Sequence, residues 1–232
     1  RFEINDHVLF LKRHSGIGWR EIFKDLIQGR LPVVGAINEW HALERLQILN
    51  ISSLTPVAFG QRGVNPARRE SFLVTHELRN TISLEDLVKT WQQRSDFVTI
   101  KRAILRQLAI VTRRMHRNGI NHRDLYICHI HISKRWLDKP VKEPELFIID
   151  LNRAQIRQRV PNRWRVKDVA SLYFSSLEAG LTSRDRFRFM QTYRDAPLRA
   201  TFRYDRRFWQ EVEQRMQRLT NRNPEAPPTE KC

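Results

Sequence analysis

The chain has 232 residues, 41% of them hydrophobic and 29% charged, and a formal net charge of +17. That is enough for one large core or two smaller lobes about a cleft; it excludes a disordered chain, and no apolar run approaches the roughly 20 residues of a membrane-spanning helix. The excess charge is mostly arginine, which suits partners rich in phosphate or carboxylate; nucleic acid is not expected, since neither a zinc finger nor an aromatic–basic stacking motif accompanies it.

Residues 2–12 read as a hairpin, with Asn5-Asp6 at the turn and Val8-Leu9-Phe10-Leu11-Lys12 as the second strand. The sequence opens with Arg1 rather than Met and enters a strand at once, so a preceding segment is expected. The Gly-rich phosphate loop is expected there too, because Gly16 and Gly18 fall after Lys12. Residues 18–30 carry Trp19, Ile22, Phe23, Leu26 and Ile27 at helical spacing, with Arg20 and Lys24 between them. This reads either as a membrane-facing helix or as one packed on the small lobe. Pro32 and Gly35 punctuate, and a second helix runs over 36–49. Val57-Ala58-Phe59 and residues 71–75 are strand candidates around a polar loop. Beyond Ser83 the pattern turns mostly helical. Ile104, Leu108, Val111 and Met115 line one face of a helix that stops at Gly119. Phe147-Ile148-Ile149 is a short buried strand ending in Asp150, helices resume to about Leu219, and residues 221–232 read as a disordered tail. Two cysteines, Cys128 and Cys232, are too few for a disulfide framework or a four-ligand zinc site, and such sparing use suits a reducing, cytoplasmic setting.

The strongest chemical signal is His122-Arg123-Asp124-Leu125 directly after a helix, followed 26 positions later by Asp150 at the end of an apolar strand. This order matches the catalytic loop and metal-binding aspartate of protein kinases. One carboxylate accepts the proton of an attacking hydroxyl while the other holds magnesium on the nucleotide phosphates, so two separate loops are needed. Upstream, Lys12 closes an apolar strand. Glu39 shares a helix face with Ala36, Leu43 and Leu46. A carboxylate on such a face is costly unless paired, and Lys12 is the natural partner; the alternative is a helix-edge glutamate reaching solvent. Glu77-Leu78 falls where two lobes would join, and backbone groups there would hold adenine. Asp168, in Arg165-Val166-Lys167-Asp168, reads either as a brace accepting N–H groups of the catalytic loop or as a helix cap. The expected architecture is α+β, a two-lobed protein-kinase-like fold. Its strand-rich N-lobe spans 1–77, its helical C-lobe 78–220 and its tail 221–232.

General protein kinases place Asn five residues after the catalytic aspartate; here that position is His129. Taken with Ile149-Asp150-Leu151-Asn152-Arg153-Ala154-Gln155 and Trp164-Arg165-Val166-Lys167-Asp168, the loop closely resembles the lipopolysaccharide core heptose(I) kinase family (WaaP/RfaP). Pro32-Val33-Val34-Gly35-Ala36 leading to Glu39-Trp40, Thr81-Ile82-Ser83-Leu84-Glu85-Asp86, and Leu172-Tyr173-Phe174-Ser175-Ser176 through Gly180-Leu181-Thr182 agree as well, so the resemblance covers nearly the whole chain to about Leu198. It implies a cytoplasmic, kinase-fold enzyme of Gram-negative bacteria, peripheral on the inner membrane. Such an enzyme uses ATP and Mg2+ to phosphorylate the first heptose of lipid-linked lipopolysaccharide core. By position it implies Lys12 on the ATP phosphates, Glu39 orienting Lys12, Asp124 as base and Asp150 on the metal. His129 is a weaker metal candidate, because imidazole is a poor magnesium ligand. Arg123 and Asp168 would support the loop, and Arg153, Arg157, Arg159, Arg163 and Arg165 would meet an anionic acceptor or form a solvated basic face. Acyl carrier protein is an implied partner. Asn152 departs from the usual His of relatives. The rivals are a kinase for Kdo or protein tyrosine, and a non-catalytic scaffold binding anionic membrane or nucleic acid.

Overall fold

A computed structural model describes residues 1–4, 7–27, 32, 35–141 and 143–222. The Asn5-Asp6 turn, Val33-Val34 and the tail from 223 onward lie outside the described residues. The chain divides into two compact units, one of Arg1–Arg79 with Asp150–Ala154, the other of Asn80–Ile149 with the chain from Gln155.

The first unit holds β1 (Phe2–Ile4), β2 (His7–His14), α1 (Gly18–Ile27), α2 (Ile37–Ile48), β3 (Pro56–Arg62) and β4 (Glu70–His76). Its antiparallel sheet has the order β1-β2-β4-β3, with Lys12 of β2 opposite Leu73 of β4. The core side of α2 repeats at offsets of three and four: Ala36, Leu43 and Leu46 are buried, and Glu39 is buried among them. One hydrogen bond and one glycine turn fix where α2 starts. Ser71 of β4 accepts the Ala36 N–H at 2.8 Å, and Gly35 adopts φ 86°, a left-handed turn that a side chain would resist. α1 buries Ile22 alone of its large apolar residues and leaves Trp19, Phe23, Leu26 and Ile27 exposed, so its apolar face is not spent on packing.

The second unit holds β5 (Thr81–Ser83), α3 (Leu84–Thr90), α4 (Phe97–Arg117), β6 (Ile120–Asn121), β7 (Ile130–Ser133), α5 (Lys134–Asp138), β8 (Leu146–Ile148), β9 (Gln155–Ile156), α6 (Asn162–Ser175), α7 (Ser183–Arg194), α8 (Leu198–Tyr204) and α9 (Arg206–Asn221). The expected α+β class holds, with the strands of this unit confined to a three-stranded β5-β7-β8 sheet and a two-stranded β6-β9 ribbon. The stripe of α4 is buried as its spacing implies: Ile104, Leu108, Val111 and Met115 all face the core. α6 packs on α9 and α4 on α7 around Ala109, Val166, Val169, Ala170, Tyr193, Phe208 and Val212. α9 runs through Asn221, the first residue of the expected tail.

Gly119 ends α4 in the left-handed region at φ 80°, and a Cβ there would sit 1.7 Å from the Arg157 carbonyl oxygen. Only glycine lets β6 come close enough for Arg157 to donate its N–H to the Gly119 carbonyl at 2.9 Å. That contact registers β6 against β9 and thereby aims the segment from Asn121 to Asp124. A buried ion pair fixes α7 to α4: Lys101 Nζ lies 2.8 Å from Asp185 Oδ2, and Asp185 also closes a capping box with Thr182. Among the described residues no helix is long and apolar enough to cross a membrane.

Candidate active site

In the first unit the expected pair forms and gains a third member. Lys12 Nζ lies 3.1 Å from Glu39 Oε2 and 3.0 Å from Asp150 Oδ1. Glu39 is 2% exposed, which rules out a glutamate reaching solvent. Its burial pushes the carboxyl above its ordinary range, while the Lys12 charge and a backbone hydrogen bond from Leu151 pull the other way. Asp150 takes φ 55°, a conformation that turns the chain directly after Ile149. Asn152 donates its Nδ2 to Asp150 Oδ1 at 2.8 Å. The asparagine that departs from the expected histidine is therefore an orienting partner of the carboxylate. His14, two residues along β2 from Lys12, was not anticipated; burial depresses its pKa, and Lys12 and Asp150 act on it in opposite senses.

Glu77 is held from both sides, by Arg1 at 3.0 Å and Arg79 at 3.0 Å. Its own N–H donates to the Val8 carbonyl at 3.0 Å. Any adenine contact thus falls to other backbone groups of the Glu77-Leu78 stretch.

In the second unit Asp168 settles the choice left open by sequence. It lies in the middle of α6, not at its start, and has no exposed surface. Its Oδ2 accepts the N–H of His122 at 2.7 Å, and its Oδ1 accepts that of Arg123 at 2.8 Å. His116 Nε2 adds a third contact at 3.2 Å. Burial alone would raise this carboxyl, but the His116 hydrogen bond and the neighbouring imidazoles outweigh it and hold the pKa below its ordinary value. The grip matters because Arg123 has φ 75°, which costs a non-glycine residue about 1–2 kcal/mol.

The loop is braced by two histidines. His122 donates Nε2–H to the Ile149 carbonyl at 2.9 Å, and complete burial lowers the pKa of its ring. His129 stacks on it with ring centroids 5.8 Å apart. Since a carbonyl only accepts, the 2.8 Å contact between His129 Nδ1 and the Asp124 carbonyl makes the imidazole the donor, and that nitrogen is not available to a metal. This contact makes His129 a strut of the loop through Nδ1.

The expected acceptor arginines do not act as one group. Arg157 donates to Asn121 Oδ1 and Gln155 Oε1, and Arg165 donates to the Tyr193 hydroxyl at 3.3 Å while stacking over Phe208. Both make contacts within the helical unit, and Arg165 also lines a basic cleft. Arg163 is exposed and stacks on Trp164, whose ring also meets Arg123, Arg157 and Lys167 within 6.0 Å. Arg153 belongs to the first unit, and Arg159 lines a basic cleft with Arg113, Arg117 and Arg194. Sequence gave no hint of a second cavity of about 360 Å³ in the helical unit, lined mostly by apolar side chains including Leu84, Trp91, Leu105, Leu108 and Leu172.

Among the described residues no three His, Cys, Asp or Glu side chains gather into a self-contained metal cage. Magnesium bound with a nucleotide asks for less, one or two carboxylates with phosphate oxygens completing the shell, and the oriented Asp150 carboxylate fits that demand.

Comparison with known proteins points to one family. The family model described as "Lipopolysaccharide kinase (Kdo/WaaP) family" matches residues 1–193. A Pseudomonas aeruginosa protein named lipopolysaccharide core heptose(I) kinase WaaP is 44% identical over 224 residues, covering 96% of this chain and 82% of its own. A protein of the same name from Escherichia coli K12 is 45% identical over 199 residues, covering 86% of this chain and 75% of its own. A solved structure, "WaaP in complex with acyl carrier protein", superposes with a TM-score of 0.77 at 39% identity and covers 94% of this chain and 82% of that one.

Proposed function

The chain belongs to the lipopolysaccharide kinase (Kdo/WaaP) family, and we propose that it transfers the γ-phosphate of ATP to a hydroxyl of heptose I in the lipopolysaccharide inner core. The observation that carries the reading is the ion triple of Lys12 with Glu39 and Asp150, at 3.1 and 3.0 Å. Burying the Glu39 carboxylate is costly, and packing alone does not call for two acids on one partly exposed lysine. A phosphoryl-transfer site needs them: Lys12 takes the ATP phosphates, Glu39 keeps Lys12 in place, and Asp150 holds magnesium with Asn152 orienting it. When bound, the metal neutralises phosphate charge. Asp124 accepts the proton of the attacking hydroxyl, and Asp168 with Arg123 keeps the loop in the conformation that presents it.

The curated relatives are named for heptose I, which favours that acceptor over Kdo or protein tyrosine. The retained set of Lys12, Glu39, Asp124 and Asp150 speaks against a non-catalytic scaffold. A lipid-linked acceptor requires work at the inner face of the cytoplasmic membrane. The exposed Trp19, Phe23, Leu26 and Ile27 of α1, flanked by Arg20 and Lys24, support such contact. The acyl carrier protein named with the solved relative suits a chain of net charge +17 if that partner is acidic, and the apolar cavity offers a seat for an acyl chain.

The test supplies ATP, Mg2+ and unphosphorylated core carrying both heptose and Kdo, then locates the new phosphate by mass spectrometry of the cleaved sugars. Phosphate on heptose I supports the proposal; phosphate on Kdo, or on a protein tyrosine instead of sugar, defeats it.

A further inference from the structure

Lys167 has no part in the reading so far, yet its Nζ lies 3.3 Å from Asp124 Oδ1, between side chains only 15% and 21% exposed. The two residues are 43 positions apart. No cation follows Asp124 in its own loop, where Leu125, Tyr126 and Ile127 come next. Lys167 arrives from α6, immediately before the Asp168 that accepts the His122 and Arg123 N–H groups. One turn of one helix therefore grips the loop twice, by its backbone and by the carboxylate that matters. Trp164, one turn earlier on α6, lies 6.0 Å from the ammonium and steers the lysine stem.

We propose that Lys167 is a positioning residue for phosphoryl transfer, fixing the Asp124 carboxylate and opposing negative charge as the phosphoryl group moves. The proposal rests on the reaction proposed above. In that step the acceptor hydroxyl oxygen forms a bond to the γ-phosphorus while the bond to the β–γ bridging oxygen breaks. ADP leaves with the electron pair, and the hydroxyl proton passes to Asp124. Lys167 forms no bond and keeps its protons throughout. A hydroxyl deprotonated by Asp124 must sit about 2.6–3.2 Å from one of its oxygens, so an ammonium bonded to the same carboxylate stands close to the reacting atoms. In a site shielded from water that charge is worth far more than at a surface, and a helix delivers it without reorganisation.

The test compares Lys167→Met, which keeps most of the stem but removes the charge and with it the cation–π contact to Trp164, with Lys167→Arg, which keeps charge. The Met variant should lose about 10²-fold in kcat with its KM for ATP within about threefold of wild type and its Tm unchanged, and Arg should recover at least about tenfold. Slow hydrolysis of ATP by water reads the same step without any sugar and should fall in parallel. If wild-type protein leaves heptose untouched, the acceptor reading fails and hydrolysis still decides the role of Lys167. Wild-type hydrolysis and transfer by the Met variant would overturn the proposal. So would a loss that tracks a falling Tm and is not recovered by Arg.

Discussion

Replacing Asp168 by asparagine keeps the volume of the side chain and removes its charge. The native carboxylate accepts the His122 and Arg123 N–H groups at 2.7 and 2.8 Å and contacts His116 Nε2 at 3.2 Å, all without exposure to water. An amide has one oxygen, so its NH2 group must face at least one of these donors. One buried N–H then lacks an acceptor, at about 1–3 kcal/mol, and the remaining bond loses its charge assistance, at about 1 kcal/mol. The expected cost is about 3 kcal/mol, a fall in Tm of roughly 6–12 °C for a chain of this size. Catalysis should suffer further. Arg123 sits at φ 75°, and a loop released from Asp168 relaxes towards ordinary backbone, carrying Asp124 with it. A displacement of about 1 Å is enough to cost about 10²-fold in kcat. Scanning calorimetry and transfer kinetics on Asp168→Asn read both effects. A variant that melts within about 2 °C of wild type and turns over at the native rate would refute the reasoning.

Glu39→Gln should separate stability from activity. Burial raises the Glu39 carboxyl, so its contribution to stability is present below the ordinary glutamate range and is lost as pH rises through the folded-state value. At neutral pH the Gln variant should therefore be as stable as wild type or more so, while kcat/KM for ATP falls about 10²-fold; equal kcat/KM would count against the pairing role. Asp185 runs the other way. Although burial opposes it, bonds from Lys101 and Thr182 hold its pKa at about 2, so its contribution is present above the ordinary value of 3.8 and disappears as pH falls towards 2. That contribution is about 2 kcal/mol, and Lys101→Met should cost about 3 kcal/mol at pH 7 in urea melts, with the difference shrinking at pH 3. Gly119→Ala should cost more than about 3 kcal/mol and lower kcat, because its methyl meets the Arg157 carbonyl; an unchanged melting curve would mean that β6 and β9 are not held as described.

The helices and the Lys12–Glu39 pair were legible in sequence because each rests on a period or a local pattern. Glu39 shared a face with Ala36, Leu43 and Leu46, and all four are buried. The α4 stripe and its glycine stop followed from helical spacing alone. The third member of the triple, Asp150, was legible as a motif residue, but its contact with Lys12 spans 138 positions and leaves no periodic trace. The same holds for Lys167 on Asp124, and for Asp168, whose place in mid-helix depends on where α6 begins. Strands of two to four residues, such as β6, β7 and β9, are too short to show an alternation. Arginines of the 153–165 run look alike in sequence. Their neighbours divide them, with Arg157 and Arg165 turned inward to Asn121 and Tyr193 while Arg163 stays exposed.

The most direct test of the central claim, that these residues form a phosphoryl-transfer site with Asp124 as its base, is to measure ATP binding and phosphate transfer to heptose-containing core side by side in Asp124→Asn. The account predicts ATP binding at the wild-type Kd with transfer reduced by about 10²–10⁴-fold. Transfer at the wild-type rate would contradict it.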